Sequence, residues 1–307
     1  AKRKLPTLIL VHRMPLLEQW RAQIATFLDV DPKKIGTLGK NKKKKTGNID
    51  IGMLQTLANM EDAVEELSSY GQIIIDECHH IPAVSFEATL KKCSPKHVVG
   101  LTATPYRKDG HQSIIHMQCG PIRHAIKHVD GPALVKRVLV RETEFKMPED
   151  VGPQPAIHLV WEQLVADQTR LDLVSHDLVD ALDRNRFPLV ISERKEHLAL
   201  LAEAFAKKLA GREVKAFTLV GGMGKKARAA VLSEINATLV SKVPAYIMAT
   251  GSFVGEGFDL PALDTLIIAM PVSFKGKVIQ YAGRLHRAFA GKSEALIHDY
   301  LDSSSAL

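Results

Sequence analysis

The strongest candidates for chemistry in this sequence are two carboxylates that end a run of three isoleucines. Ile73–Ile75 are followed directly by Asp76 and Glu77. At the carboxyl end of a buried strand, one carboxylate can hold Mg²⁺ through water, and a second can orient and polarise an attacking water. Such a pair suits phosphoanhydride hydrolysis. Two alternatives stay open: a transition-metal site that adds His79 and His80, and a plain acidic strand end with solvent-exposed histidines.

Two later segments also place small polar residues after apolar runs. Thr102 and Thr104 follow the run that ends at residue 101, where hydroxyls can bond to a neighbouring carboxylate or to the backbone. Residues 250–259 form a loop with several glycines, which permit close approach to a ligand. Asp259 in this loop could accept a hydrogen bond from a ribose hydroxyl. An ordinary threonine-rich turn and a structural loop are the alternatives.

A third segment carries rigid donors at helical spacing. Gln280, Arg284 and Arg287 lie at positions i, i+4 and i+7, which places them on one face of a predicted helix. Two guanidinium groups and an amide on one face suit a polyphosphate. A solvated basic face is the alternative.

The elements that would position these residues alternate between strands and helices. Continuous apolar runs predict strands buried on both faces of a parallel sheet at 8–11, 49–53, 73–75 and 97–101, with helices over 14–28 and 60–68. A second series predicts one long amphipathic helix from 157 to 182, then strands at 188–192, 214–219, 245–249, 265–269 and 295–297. This pattern predicts an α/β fold of two lobes, 1–147 and 156–307, joined by the Pro- and Gly-rich linker 148–155.

Composition limits the classes of protein that this chain can belong to. The 307 residues are 46% hydrophobic and 24% charged, which excludes wholesale disorder. No apolar run approaches the ~18 residues of a membrane helix, and no signal-type segment is seen, so we expect a cytoplasmic protein. The net charge of +7 favours polyanionic partners, although a basic protein without such a partner has the same composition. Three cysteines without a CxxC pair disfavour a disulfide framework or a zinc knuckle and suit a reducing compartment.

Together, the order and spacing of these segments resemble the superfamily 2 helicases and translocases of the DExH-box type. Residues 76–79, Asp-Glu-Cys-His, are similar to motif II, and 102–104 to motif III. Further resemblance covers nearly the whole chain: 8–20 to motif Ia, 50–57 to the next nucleic-acid motif, 190–196 to motif IV, 222–228 to the loop and helix after it, 250–259 to motif V and 280–287 to the QxxGRxxR form of motif VI. Within the superfamily, the chain most resembles restriction-enzyme translocating subunits and related DNA repair helicases.

This resemblance implies two RecA-like lobes with mainly parallel sheets and ATP bound in the cleft between them. Asp76 would hold Mg²⁺ and Glu77 would activate the hydrolytic water. Arg284 and Arg287 would act as arginine fingers, with Gln280 beside them. The remaining implied roles are nucleotide contact by Gly257 and Asp259, coupling by His79, Thr102 and Thr104, and nucleic-acid contact, with DNA rather than RNA, by His12, Arg13, Gln55, Thr56, Arg194 and Thr250.

One departure from the family pattern is serious, because these 307 residues contain no Walker A loop GxxxxGK[ST]. Gly291-Lys292-Ser293 is the only GK[ST], and position 286 holds His where the pattern requires Gly. We therefore expect a fragment whose first lobe is truncated at its N-terminus and which is inactive alone. A non-catalytic nucleic-acid-binding or scaffold module and an RNA-directed helicase are the alternatives.

Overall fold

A computed structural model describes residues 3–38, 44–60, 62–80, 95–103, 112–125, 134–147, 156–255, 260–272 and 275–303. The chain divides into two compact units, Ala1–Val129 and Asp130–Leu307. The boundary between the two units therefore lies at residues 129–130. The sequence analysis placed the end of the first lobe later, at residue 147. The predicted linker 148–155 lies outside the described residues. No helix in the described part of the chain is long and apolar enough to cross a membrane.

The first unit is built on five parallel strands in the order β2-β3-β1-β4-β5. These strands are β1 Thr7–Val11, β2 Ile35–Leu38, β3 Ile49–Met53, β4 Gln72–Asp76 and β5 His97–Leu101. The described helices of this unit are Met14–Leu28, Leu54–Ala58, Ala63–Ser68 and Gln112–Cys119, with 3₁₀ turns at Pro32–Lys34 and Cys78–His80. Every predicted strand of this half is present, and β2 was missed because four residues give too short a pattern.

Central strand β1 shows why a continuous apolar run predicts a parallel strand. Leu8 and Leu10 pack into a core on one face of the sheet, whereas Ile9 and Val11 pack into a second core on the other face. Side chains that alternate along a strand can all be apolar only when helices cover both faces. Edge strand β5 differs, since its residues are half-buried and Leu101 is exposed.

The second unit contains six parallel strands in the order β6-β11-β10-β7-β9-β8. They are β6 Val135–Glu142, β7 Pro188–Ser192, β8 Lys215–Leu219, β9 Ala245–Thr250, β10 Thr265–Ile268 and β11 Glu294–Leu301. The described helices are Ile157–Ala166, Gln168–Asp183, Lys195–Lys208, Lys225–Ser241, Gly251–Gly255 and Lys275–Leu285. The predicted α/β class with two mainly parallel sheets is thus confirmed.

Strand β6 corrects the predicted domain assignment. Residues 135–142 were assigned to the first lobe, but they pair in parallel with β11 along their whole length. The strand lies at the edge of the sheet, and Val138 and Val140 are 60% and 58% exposed. Because neither face is well buried, the strand carries no clear alternation of apolar and polar residues, and the sequence pattern did not reveal it.

The long helix predicted over 157–182 is two helices. The break falls at Asp167, whose backbone is extended and whose side chain accepts a hydrogen bond from the Arg170 amide at 2.7 Å. Asp167 therefore caps the second helix. The apolar spacing continues across the break, because both helices bury one face, so periodicity alone did not show it.

Candidate functional site

The carboxyl edge of the first sheet gathers most of the first-lobe residues predicted from sequence. Parallel strands present their carboxyl ends at one edge, which is where ligands bind in open α/β sheets. His12 and Arg13 follow β1, Asp76 ends β4, and Thr102 follows β5. Strands β1, β4 and β5 are direct neighbours, so these residues come from adjacent strand ends.

Asp76 is held in a fixed orientation by two hydrogen bonds. The indole Nε1 of Trp20 donates to Asp76 Oδ2 at 2.7 Å, and the amide of Glu77 donates to Oδ1 at 3.0 Å. Burial raises the pKa of Asp76, and the hydrogen bond from Trp20 opposes that shift. Each carboxylate oxygen has two acceptor sites, so both oxygens keep one for a water bound to a cation. The carboxylate therefore fits the role of a Mg²⁺ ligand acting through water.

Glu77 has a left-handed backbone, with φ at +49°. A residue with a Cβ adopts this conformation at a cost of about 1–2 kcal/mol, and such strain concentrates at functional sites. The turn lets the Glu77 carboxylate meet the ring of His79, with Oε2 3.3 Å from Nδ1. The same Nδ1 lies 2.9 Å from the Thr102 hydroxyl. Glu77, His79 and Thr102 thus form a polar chain from the end of β4 to the end of β5.

His12 belongs to the same polar cluster. Burial, followed by the positive charge of Arg13, lowers the pKa of His12 to about 4, while the charge of Glu77 acts in the opposite direction. The ring is therefore neutral at physiological pH. The structure brings His12 into electrostatic range of Glu77 and His79, which the sequence analysis had assigned to different tasks.

The other predicted first-lobe residues lie on a short helix or outside the described chain. Gln55 is exposed and Thr56 is half-buried on helix Leu54–Ala58, which follows β3. The Gln55 carbonyl accepts a hydrogen bond from the Asn59 side chain at 2.9 Å. Thr104 lies outside the described residues.

In the second unit, two predicted nucleic-acid residues lie at the carboxyl ends of the neighbouring strands β7 and β9. Arg194 lies half-buried just before helix Lys195–Lys208, after β7. Thr250 ends β9 and is buried. Its hydroxyl accepts from the Gly221 amide at 3.0 Å and lies 3.2 Å from the Ser252 hydroxyl. The Thr250 hydroxyl therefore joins the segment after β8 to the helix Gly251–Gly255.

The helix Lys275–Leu285 is anchored by residues that sequence reasoning missed. Tyr281 donates its hydroxyl to Glu193 Oε1 at 3.0 Å, and Lys277 Nζ lies 3.0 Å from the same oxygen. Gly251 lies beneath this contact, and a Cβ there would come within 2.5 Å of Glu193 Oε1. Lys277 and Tyr281 are one turn apart, which was the only signal in the sequence that they share a partner.

The anchored helix carries Gln280 and Arg284, which are both half-buried. It ends at Leu285, so Arg287 lies two residues beyond the last turn and does not continue the helical face. The helix predicted over 280–287 is therefore two residues shorter than expected, and Arg287 lies just beyond it. The helix stops because the amide of His286 bonds to the Gly283 carbonyl in a tighter turn. Gly257 and Asp259 lie outside the described residues.

Comparison with known proteins matches a stretch in each half of the chain to a family model. Residues 1–107 match the model described as type III restriction enzyme, res subunit, and residues 173–289 match the helicase conserved C-terminal domain. A protein of Acanthamoeba polyphaga mimivirus that carries the name of an ATP-dependent RNA helicase is 25% identical over 308 residues, which cover 98% of this chain and 56% of that protein. The two family models and the helicase-named relative support the resemblance to the superfamily 2 helicases. The expected resemblance is thereby confirmed.

Two further similarities concern the sequence and the fold. The DNA 3'-5' translocase XPB2 of Sulfurisphaera tokodaii is 32% identical over 136 residues, or 43% of this chain and 29% of that protein. The helicase domain of Hef from Pyrococcus furiosus has the same fold, with a TM-score of 0.59 at 14% identity over 99% of this chain and 88% of that one. The chain spans little more than half the length of the mimivirus relative.

Proposed function

We propose that the chain is the motor part of an ATP-dependent helicase or translocase that acts on DNA. The observation that carries this proposal is the polar chain Glu77–His79–Thr102, which begins beside the fixed carboxylate of Asp76. Two carboxylates at one strand end, one fixed and one in contact with an imidazole, fit the hydrolysis of a phosphoanhydride. The Thr102 hydroxyl, directly after the neighbouring strand β5, connects that site to the next strand of the sheet.

In this proposal, Asp76 binds the cation and Glu77 handles the proton. Mg²⁺, when bound, would neutralise charge on the phosphates of ATP. Glu77 Oε2 accepts the proton of the attacking water, and His79 Nδ1 at 3.3 Å orients that carboxylate. The Thr102 hydroxyl lies 2.9 Å from the same nitrogen, so a movement of the His79 ring would change or break this hydrogen bond. The three residues would couple hydrolysis to the position of β5.

The second unit would supply positive charge to the nucleotide. Arg284 and Arg287 present guanidinium groups that can bind phosphate oxygens in pairs, and Gln280 adds an amide beside them. Glu193 and Tyr281 fix the helix that bears Gln280 and Arg284. Gly257 and Asp259 would contact the ribose, as the family resemblance implies.

Nucleic acid would bind along residues of both units. Arg13, Gln55, Thr56 and Arg194 are the proposed contacts, with His12 and Thr250 shaping the surface around them. The net charge of +7 favours binding to a phosphate backbone. We favour DNA as the substrate because the motifs most resemble those of restriction-enzyme translocating subunits and because one similar protein is a DNA translocase. The name of the mimivirus relative refers to RNA and supports the alternative of an RNA-directed helicase.

The sequence itself favours a second candidate, a nucleic-acid-binding module without ATP turnover. These 307 residues contain no GxxxxGK[ST] loop to cradle the β- and γ-phosphates. We therefore expect the chain alone to release no phosphate at the ~1–10³ s⁻¹ of ordinary enzymes, with or without nucleic acid. Phosphate release at such a rate from the purified chain would contradict this expectation.

A pair of variants tests the proposed division of roles between phosphate contacts on DNA and on ATP. In salt titrations of duplex DNA binding by fluorescence anisotropy, Arg194→Ala should weaken binding similarly for all sequences and flatten the plot of log K against log salt by about one unit. Arg287→Ala is the matched control, because its proposed target is ATP, and it should leave that slope unchanged. If Arg287→Ala flattens the slope and Arg194→Ala does not, the proposed assignment is wrong.

A further inference from the structure

Two cysteine thiols lie side by side, and one of them belongs to the residue that directly follows Glu77 of the candidate ATP site. Cys78 begins the 3₁₀ turn that follows Glu77, and Cys119 is the last residue of helix Gln112–Cys119. They are 41 residues apart in sequence. The two thiols share a hydrogen bond. Neither side chain has a role in the function proposed above.

Gly100 on β5 makes room for both sulfurs. A Cβ at this position would lie 2.7 Å from Cys119 Sγ and 2.9 Å from Cys78 Sγ, closer than real Cβ contacts. Both sulfurs therefore occupy the space that a side chain at position 100 would fill. Because the two sulfurs lie 2.7 and 2.9 Å from one point, they are at most 5.6 Å apart, and a disulfide requires them to approach to about 2.0 Å.

We propose that Cys78 and Cys119 form a reversible disulfide when the protein meets a peroxide-class oxidant. This site goes beyond helicase activity. Its consequence for ATP hydrolysis rests on the function proposed above: closing the bond would restrain the turn that carries Glu77.

The reaction runs in two steps with the oxidant as electron acceptor. Cys119, which is only half-buried, is the thiol that reaches peroxide, whereas Cys78 is 2% exposed. The Cys119 sulfur, as thiolate, attacks one peroxide oxygen. An S–O bond forms, the O–O bond breaks, and water leaves after taking up a proton. The Cys78 sulfur then attacks Cys119, forming the S–S bond and expelling the sulfenic oxygen as a second water.

Exposure and electrostatics agree on this order of events. The hydrogen bond from Cys78 lowers the pKa of Cys119, which favours the thiolate at the accessible sulfur. Cys78, being buried, is protected until the sulfenic acid forms next to it. The outcome is one intramolecular bond, in which two thiols are oxidised and one peroxide is reduced to two waters. A dithiol reductant reverses it.

The test uses the full chain in a Cys93→Ser background, which leaves only these two thiols. Hydrogen peroxide followed by alkylation and non-reducing peptide mass spectrometry should show the two thiols lost together. It should also show a linked Cys78–Cys119 peptide about 2 Da lighter than the sum of its parts, and dithiothreitol should restore both thiols. Adding Cys119→Ser should leave Cys78 unreacted in the folded chain. Independent overoxidation of the two sulfurs, or persistence of both thiols, would overturn the proposal.

A second readout checks that the bond forms in the native arrangement and reaches the candidate site. Trp20 donates to Asp76, two residues before Cys78, and Trp161→Phe leaves Trp20 as the only tryptophan. Its emission should shift on oxidation and return on reduction. A linked peptide that forms equally fast in urea would overturn the native pairing. A linked peptide without any shift in emission would overturn control of the turn. Neither readout requires ATP hydrolysis, so failure of the helicase proposal would leave both intact.

Discussion

The contact between Gly251, Tyr281 and Glu193 gives a sharp test of how the helix Lys275–Leu285 is held. Replacing Gly251 with Ala would place a methyl group against the Tyr281 hydroxyl and within 2.5 Å of Glu193 Oε1. Tyr281 is 1% exposed and cannot easily move aside. Burial and the Glu193 carboxylate raise the pKa of Tyr281, so its hydroxyl stays protonated and donates. The new methyl group must therefore break the hydrogen bond or displace the backbone.

The expected cost of Gly251→Ala can be estimated from these contacts. Inserting a methyl group into a packed site costs about 1–3 kcal/mol, and a hydrogen bond to a charged group contributes about 1.5–3 kcal/mol. The two terms describe one event, and Ala gains up to about 1 kcal/mol in helix propensity. We expect a net loss of about 2 kcal/mol in the free energy of unfolding, which lowers the melting temperature of a unit of this size by about 4–8 °C.

Urea and thermal unfolding of the full chain, followed by circular dichroism, would measure this loss. Gly283→Ala is the matched control, because Gly283 lies on the anchored helix Lys275–Leu285 itself and a Cβ there would meet nothing within 4 Å. It should be neutral or stabilising by up to about 1 kcal/mol. In a Tyr281→Phe background, which removes the nearest clashing atom, Gly251→Ala should cost less than it does alone. Equal effects at Gly251 and Gly283, or full additivity with Tyr281→Phe, would refute the reasoning.

Two further predictions concern catalysis and pH. The first is tested in a protein that carries this chain together with a Walker A loop. There, Glu77→Gln should abolish ATP turnover in a phosphate-release assay, because the amide cannot accept the proton, and should leave ATP and nucleic-acid binding largely intact. Normal turnover would exclude Glu77 as the catalytic carboxylate. Burial, followed by the charge of Arg170, lowers the pKa of His197 to about 3, so the unfolded chain takes up a proton below about pH 6.5 that the folded chain refuses. The His197 ring should therefore lower the free energy of unfolding by about 2 kcal/mol between pH 7 and pH 5. Urea unfolding of His197→Gln should lack that part of the pH dependence. An unchanged pH dependence in this variant would contradict the prediction.

The sequence alone predicted the class of fold and the resemblance to the superfamily 2 helicases. Runs such as 49–53 and 188–192 are observed as strands with the predicted bounds, because a strand buried on both faces leaves a continuous apolar signature. Motif residues were equally readable. Asp76 and Thr102 could be placed at the same edge of one parallel sheet, because each follows or ends a predicted strand.

The tertiary structure decided everything that depends on contacts between distant segments. The buried Asp177 carboxylate, on helix Gln168–Asp183, accepts hydrogen bonds from Arg141 on β6 at 2.6 Å and from Tyr300 on β11 at 2.9 Å. Asp177 therefore joins this helix to two paired strands. The partners are 36 and 123 residues away in sequence. No local pattern marks such a site, because its residues look like ordinary polar positions of separate elements.

The same physical reason separates what was found from what was missed at the candidate site. Identity and order along the chain are local properties, so Asp76, Glu77 and Gln280 could be proposed directly. The placement of Glu193 beneath Tyr281, the pairing of Cys78 with Cys119, and the end of the helix before Arg287 depend on backbone geometry. Parallel strands need long crossover connections, so residues that meet at one sheet edge are far apart in sequence, and only the folded chain shows which of them touch.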